Sequence, residues 1–203
     1  MADAPVLDLE KYPTARAFVA KCHEFFNEVK NLTPGHELEA RLNATHGPGT
    51  PYYDAFRSFI LAGLKEGWVA QTELDGPRYR RGRIAAPTPE SNFISITTVY
   101  MSSEGVDGEG GDASATTAGD EEYRGQYHAH PYGEINCVIL LDENSKAQLK
   151  GMQGWQGAGW TSPGPGTHHY PEVRGGELVA LFFLPAGRIS YEATPGMAQP
   201  ASL

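Results

Sequence analysis

Two histidines separated by one residue, His128 and His130, precede a short turn and a glutamate, Glu134. On a β-strand, residues i and i+2 point to the same face about 6–7 Å apart, so two imidazoles at this spacing can share one metal ion. A third imidazole is available further along the chain from His168 or His169. These residue types and spacings predict a metal site built on β-strands.

The candidate ligands are nitrogen and oxygen atoms, because neither Cys22 nor Cys137 lies in a paired metal-binding spacing. Imidazole with carboxylate suits divalent Fe, Mn, Ni, Zn or Cu, and the sequence does not choose among them. The alternative is that the histidines form a solvated strand face and a loop pair. We favour the metal site, because so many ligand-type residues would otherwise have gathered by accident.

Composition and charge narrow the class of protein. The 203 residues suffice for one well-packed core with an appendage. A net charge of −9 argues against nucleic acid or an anionic membrane as a partner. The first nine residues lack the features of a signal peptide, and no apolar run is long enough to span a membrane. We therefore expect a cytoplasmic protein.

The N-terminal third is predicted to be helical. Apolar residues recur at helical spacing from Thr14 to Val29, a short helix contains Leu38 and Leu42, and a third helix runs from near Pro51 to Gly67. We expect residues 1–67 to form a helical region that packs on a following β-domain.

From residue 68 the periodicity changes to that of β-structure. Segments 68–74 and 78–84 predict a hairpin around an Asp-Gly turn, and 93–101 is rich in β-branched residues. Residues 104–122 are acidic and lack apolar residues to bury, which predicts a mobile loop. Further short strands are predicted near 124–131, 134–141, 147–150, 158–161, 168–173, 177–184 and 188–192. The prediction is a mainly β protein, with a barrel over 68–195 and a tail over 196–203.

The predicted hairpin carries four arginines, Arg78, Arg80, Arg81 and Arg83, in an otherwise acidic protein. We favour a charged, exposed hairpin. The alternative is that one guanidinium reaches the site and binds a substrate carboxylate through two parallel hydrogen bonds. Arg124 and Arg188 are further candidates for that role.

The His-x-His pair, the glutamate and a Pro/Gly-rich turn followed by histidine resemble the two motifs of the cupin superfamily. The resemblance implies a single jelly-roll barrel with a metal held by His128, His130, Glu134 and His169. His169 is three residues after Gly166, as the second motif requires, and His168 is the rival. Adjacent strand residues face opposite sides, so we expect only one of them to bind metal. The glycine usual before the first motif is here Glu122.

Longer segments are similar to the 4-hydroxylaminobenzoate lyases: 128–136, 157–161, 168–173 and 182–191. This resemblance implies a small aromatic carboxylate as substrate, converted to protocatechuate and ammonia. The metal would act as a Lewis acid on the hydroxylamine N–O bond. No external redox cofactor is expected, and no glycine-rich dinucleotide loop is present.

The reaction would also need an acid or base beside the metal. Glu172, His168 and Tyr132 are the candidates, with Tyr127 and Tyr170 behind them, although each could be a surface or packing residue. Two other functions stay open: a cupin dioxygenase for an aromatic or diketone substrate, and a non-catalytic binder in which the metal only clamps the barrel. A homodimer is expected by analogy with the fold.

Overall fold

The computed structural model of the protein describes residues 5–104 and 122–200, which form a mainly β structure with an N-terminal helical segment. The loop predicted over 104–122 lies, apart from its two end residues, outside the described part of the chain. The domain limits given above stay a prediction.

The three predicted helices are present. They are α1 (Pro13–Val29), α2 (His36–Thr45) and α3 (Pro51–Glu66). Proline occupies the first turn of α1 and α3, where its missing N–H costs no hydrogen bond. Gly67 ends α3 in the left-handed region with φ 81°, a conformation that favours glycine. Within the described ranges, no helix is long and apolar enough to cross a membrane.

Short antiparallel strands make up most of the rest. The described residues form β1 (Thr72–Asp75), β2 (Tyr79–Ala85), β3 (Ile94–Ser102), β4 (Glu122–Arg124), β5 (His128–Ala129), β6 (Ile135–Leu140), β7 (Gln148–Gly151), β8 (Gly154–Gln156), β9 (Gly159–Thr161), β10 (His168–His169), β11 (Glu172–Arg174) and β12 (Glu177–Pro185).

These strands form two layers joined by a small ladder. The larger sheet has the order β1-β2-β3-β12-β6-β9, the smaller has the order β4-β11-β7-β8, and β5 pairs with β10 between them. The prediction of a mainly β protein with an N-terminal helical segment is confirmed. Its hydrogen-bonded ladders are divided among three sheets and do not run continuously around the barrel.

The central strands of the larger sheet, β12 and β6, are buried on both faces. Along β6, Ile135, Cys137 and Ile139 belong to the core shared with the helices, whereas Val138 and Leu140 belong to the core between the two sheets. Strand β12 alternates in the same way, which explains why both strands are continuous apolar runs in the sequence. The inner core continues towards the histidines of β5 and β10.

The core under the helices is aromatic. Phe25 of α1 stacks on Trp160 of β9 with ring centroids 5.0 Å apart, and Phe26 meets Phe183 of β12 edge to face at 4.9 Å. These contacts fix the helical layer on the outer face of the larger sheet.

Two strand predictions were wrong. Residues 68–70 are buried beneath α3 without forming a strand, and Ala70 has φ 49°, which interrupts extended backbone. Residues 188–192 form only an isolated bridge between Ser190 and Ala129. Strand β8, which lies between glycines, was not predicted.

Helix α2 closes the free edge of β9 through one side chain. The Asn43 amide donates from Nδ2 to the Trp160 carbonyl at 2.8 Å and accepts at Oδ1 from the Trp160 N–H at 3.0 Å. One side chain thus replaces the two hydrogen bonds of a neighbouring strand. Unpaired edges invite pairing with other chains, and Asn43 removes that possibility here.

We expect Asn43→Ala to lower the free energy of unfolding by about 2 kcal/mol, because both backbone groups of buried Trp160 lose their partners. Urea denaturation measures the effect. The matched control is Asn27→Ala. Like Asn43, Asn27 donates to the backbone carbonyl four residues before it, but its side chain faces solvent. Equal stability of the two variants would contradict the role given to Asn43.

Candidate metal centre

Three imidazoles converge from two short segments, two of them from β5 and the residue that follows it and one from β10. Strands β5 and β10 pair with His128 opposite His169, and His130 follows β5 on the same face as His128. One nitrogen from each ring lies within 4.8 Å of the others, and the ring centroids are 4.9–5.2 Å apart. The structure therefore brings together the three histidines that the sequence assigned to the metal.

Backbone carbonyls orient two of these rings. His128 Nδ1 donates to the Gln126 carbonyl at 2.9 Å, and His130 Nδ1 donates to the Thr167 carbonyl at 3.0 Å. A carbonyl can only accept, so the proton is on Nδ1 and the lone pair is on Nε2. This is the arrangement that metal-binding histidines show in proteins.

Glu134 lies beside the histidine cluster. Its side chain is 1% exposed, and Oε1 is 3.7 Å from His130 Nε2. The Asn136 amide donates to Oε1 at 2.8 Å, which holds the carboxyl group in place. Among the described residues, neither Oε2 of Glu134 nor Nε2 of His130 has a hydrogen-bond partner, although both atoms are buried.

Burial sets the charge of the cluster. Desolvation, followed by repulsion from His128, lowers the pKa of His169 to about 3, and the same two causes lower the pKa of His130 well below its usual value. Burial also lowers the pKa of His128 and raises that of Glu134 to about 7, against the opposing hydrogen bond from Asn136. The three imidazoles are therefore neutral at pH 7 and can offer their lone pairs.

This donor set fits a divalent transition metal. Buried polar atoms normally have partners, and an unpartnered imidazole nitrogen facing two others is explained by an ion between them. Neutral nitrogens with a nearby carboxyl oxygen suit Fe, Mn, Ni, Zn or Cu alike. The cluster could hold such an ion through His128, His130 and His169, with Glu134 adjacent.

His168 does not join the cluster. Its Nδ1 is 2.6 Å from the Tyr127 hydroxyl, and its Nε2 is 3.2 Å from the Ala198 carbonyl in the C-terminal segment. Because neighbouring strand residues point to opposite faces, the ring that follows it, His169, turns inward while His168 turns outward. His168 is thus on the wrong face of β10 for proton transfer at the cluster.

Glu172 is also on the outer face. It is 4% exposed, but the groups that cover it are the half-exposed cations Arg124, 2.5 Å from Oε1, and Lys150, 2.5 Å from Oε2. Its neighbour Val173 points into the core between the sheets. The two ion pairs hold the carboxylate of Glu172 in place. Among the described residues, this carboxylate makes no contact with the histidine cluster that would support the predicted acid–base role.

Tyr132, the third predicted acid or base, lies in the turn between β5 and β6 and is 54% exposed. No hydrogen bond or ring contact within the described ranges joins it to the histidine cluster. Tyr170 packs on Tyr127 at 4.7 Å, on the same outer face as His168. The predicted acid–base residues therefore lie away from the centre.

A cavity beside His128 contains residues that the sequence reasoning did not assign to the site. It is lined by alternate residues of β2 (Tyr79, Arg81 and Arg83), by residues of β3 and β12, and by the segment that follows β12, including Tyr191. The prediction of an exposed hairpin was wrong for its four arginines, which are all half-buried, and two of them, Arg81 and Arg83, line this cavity. The signal was available, because Tyr79, Arg81 and Arg83 are spaced by two and share one strand face.

The comparison with known families supports an enzyme assignment. The family model for 4-hydroxylaminobenzoate lyase (PnbB) matches residues 20–191. A 4-hydroxylaminobenzoate lyase from Nocardioides sp. (strain LMS-CY) is 52% identical over 171 residues, covering 84% of this chain and 90% of that protein. One from Pseudomonas putida is 46% identical over 174 residues, covering 86% of this chain and 93% of that protein.

Two solved structures are more distant. One, described as "Crystal structures of DMSP lyases RdDddP and RnDddQII", is 12% identical with a TM-score of 0.38, covering 94% of this chain and 97% of that chain. DMSP lyase DddQ from Ruegeria pomeroyi DSS-3 is 16% identical with a TM-score of 0.37, covering 92% of this chain and 100% of that chain. Likeness at this level supports no inference about activity.

The two adjacent histidines of β10 provide a matched test of the metal site. We expect His169→Ala to lose most of its bound metal, because it removes one of three inward nitrogens, and His168→Ala to keep it. Metal per chain is measured by plasma mass spectrometry after reconstitution and desalting. Retention of metal by His169→Ala together with loss by His168→Ala would reverse the assignment.

Glu172→Gln should keep the metal but reduce stability. The substitution leaves the cations Arg124 and Lys150 without their shared carboxylate, and because both are about half exposed the cost should be about 1–2 kcal/mol. Chemical denaturation measures it, with Glu143→Gln in an exposed ion pair as the control. Loss of metal in Glu172→Gln would instead link this residue to the centre.

Proposed function

We propose that this chain, which belongs to the 4-hydroxylaminobenzoate lyase family, converts 4-hydroxylaminobenzoate to protocatechuate and ammonia at a divalent metal bound by His128, His130, His169 and Glu134. The observation that carries the activity is the identity of 52% and 46% to two lyases over most of the chain. The proposed ligands rest on the converging buried nitrogens.

A divalent ion at this position would supply Lewis acidity to the hydroxylamine oxygen as the N–O bond breaks. The protein itself contributes buried ligand side chains whose orientation is fixed. Carbonyl groups hold the rings of His128 and His130, and the Asn136 amide holds Glu134, so little rearrangement is needed when charge develops.

The reaction balances without a redox partner. One arylhydroxylamine and one water give one catechol and one ammonia, so the nitrogen is reduced at the expense of the ring carbons within the same molecule. Neither oxygen nor a nicotinamide or flavin is consumed. This balance separates the proposed reaction from that of a dioxygenase.

The cavity beside His128 suits an aromatic substrate. Val99, Phe182, Leu184 and Ile189 supply apolar walls for a ring. Tyr79 lines the same cavity, and burial, followed by the nearby Tyr191, raises its pKa above the usual value. Its hydroxyl therefore keeps its proton and can donate a hydrogen bond to a bound molecule.

Glu134 is the acid or base that lies beside the cluster. Burial raises the pKa of Glu134 to about 7 in the metal-free cluster, and a divalent ion beside it would lower that pKa again. In the proposed site Glu134 serves either as the carboxylate ligand or as the group that exchanges a proton with water. Glu172, His168 and Tyr132 act outside this step.

We further propose a cytoplasmic homodimer that binds neither nucleic acid nor membrane. Two free, buried cysteines are compatible with a reducing compartment, and the charge of −9 disfavours polyanionic partners. Light scattering on the purified protein would report the dimer directly.

The decisive experiment is ammonium release from 4-hydroxylaminobenzoate under strict anoxia. We expect metal-loaded protein to form ammonia and protocatechuate in equal amounts without oxygen, flavin or nicotinamide. Protein stripped by a chelator should be inactive and should recover on addition of one of the candidate metals. His130→Ala, reconstituted in parallel, provides the background rate, since it lacks a central nitrogen of the cluster.

Absence of turnover under anoxia after reconstitution with each candidate metal would overturn the lyase assignment. Turnover that appears only with oxygen would favour a dioxygenase. If His130→Ala matched the wild type, the catalytic metal could not be at these histidines.

A further inference from the structure

We propose that Arg81 is the residue that binds the carboxylate of the aromatic substrate and so selects benzoate-type molecules over neutral ones. This inference rests on the proposed function, because it concerns the same site. Arg81 lines the cavity that His128 also lines, so one molecule can contact both ends.

The position of Arg81 follows from strand alternation. Tyr79, Arg81 and Arg83 are successive inward residues of β2, and Arg81 pairs in register with Val99, an inward residue of β3. The guanidinium is near enough to Tyr79 to oppose the rise in the pKa of that hydroxyl. Arg81 is thus in the interior beside a buried hydroxyl, and not on the solvent side of the hairpin.

The Nε–H of Arg81 is buried without an acceptor among the described residues; the Nε–H of Arg80 is too, but only Arg81 of the two lines the cavity. Buried donors of a cation are costly to leave unsatisfied. A carboxylate can accept two parallel hydrogen bonds from the Nε and Nη side of a guanidinium, which matches the vacant donor. The unpaired Nε–H therefore points to an anionic, planar ligand.

The other residues that line the cavity also favour an anionic ligand. Of the described residues around the cavity, two are arginines and none is an aspartate or glutamate. Apolar side chains, among them Val99, Phe182 and Leu184, line the same cavity as these arginines and His128. An aromatic ring on those walls, with its carboxylate at Arg81, would direct its opposite end towards His128.

The other arginines have different contacts. Arg80, next in sequence but on the other face of β2, stacks on Tyr100 at 4.3 Å. Arg78 donates to the carbonyls of Ser102 and Ser103, and Arg124 pairs with Glu172. Arg188 is exposed. Arg83 shares the cavity with Arg81 and is the residue against which the proposal must be tested.

The test compares 4-hydroxylaminobenzoate with its neutral amide, 4-hydroxylaminobenzamide, using full-length, metal-loaded protein and ammonium release. For Arg81→Gln we expect kcat/KM to fall about 100-fold with the carboxylate, mainly through KM, because a charged hydrogen-bonded pair remote from the reacting nitrogen is lost. With the amide, the change should stay within about threefold. Arg81→Lys should recover only part of the loss, since an ammonium lacks the planar fork.

Arg80→Gln is the matched control, as the same substitution on the opposite face of the same strand, and it should leave both substrates unaffected. Thermal unfolding of each variant confirms folding. Equal losses of Arg81→Gln with both substrates would overturn the proposal. The proposal would also be overturned if Arg83→Gln impaired turnover of the carboxylate but not of the amide, while Arg81→Gln did not.

Binding of the unreactive 4-aminobenzoate and 4-aminobenzamide, measured by calorimetry, separates this inference from the proposed function. If wild-type protein releases no ammonium, the lyase assignment fails. Arg81 would still be supported if its substitution weakens only 4-aminobenzoate. If Arg81→Gln binds 4-aminobenzoate as tightly as the wild type, Arg81 is not the carboxylate-binding residue, whatever the outcome for ammonium.

Discussion

A sheet that is buried on both faces is the constraint from which the rest of the structure follows. Every residue of β6 and all but the ends of β12 are buried, so each strand must present one apolar row to the helices and another to the barrel interior. A polar residue in the inner row must find a partner inside the barrel. The amide nitrogen of Asn136 illustrates this, since it donates to both Glu134 and Thr161, whereas its buried Oδ1 has no partner among the described residues.

Backbone hydrogen bonds outside the larger sheet link the two histidine motifs. The turn that precedes β10 donates from the Gly166 N–H to the His130 carbonyl at 2.7 Å, and the His130 N–H returns a bond to the Thr167 carbonyl. Thr167 also accepts from His130 Nδ1, so the second motif orients a histidine of the first. Gly166 has φ 77°, which explains the glycine at this sharp turn. The imidazoles are therefore positioned by backbone contacts between distant segments.

Local sequence patterns predicted most helices and strands. For the histidines, they showed which residues share a strand face but not which face points inward. Spacing by two assigns His128 and His130 to one face, but the choice between His168 and His169 depends on the register of β10 with β5, which no local pattern contains. The ion pairs of Glu172 could not be predicted for the same reason, because its cationic partners come from β4 and β7. The arginines of β2 show the converse. Their alternation was visible in the sequence, but nothing local indicated which of the two rows faces the interior.

The charges around the proposed metal explain why a second cation, the guanidinium of Arg81, would help to orient the substrate. Three neutral imidazoles and one carboxylate would leave a divalent ion with a net positive charge, which attracts a carboxylate as well as a hydroxylamine. A benzoate could then bind in reverse, with its carboxylate on the ion. The guanidinium of Arg81, which lines the same cavity as His128, would compete for that carboxylate and offer it two hydrogen bonds in a fixed plane. Orientation thus depends on the difference between two attractive sites, and a half-buried arginine beside apolar side chains attracts a carboxylate more strongly than a fully exposed one.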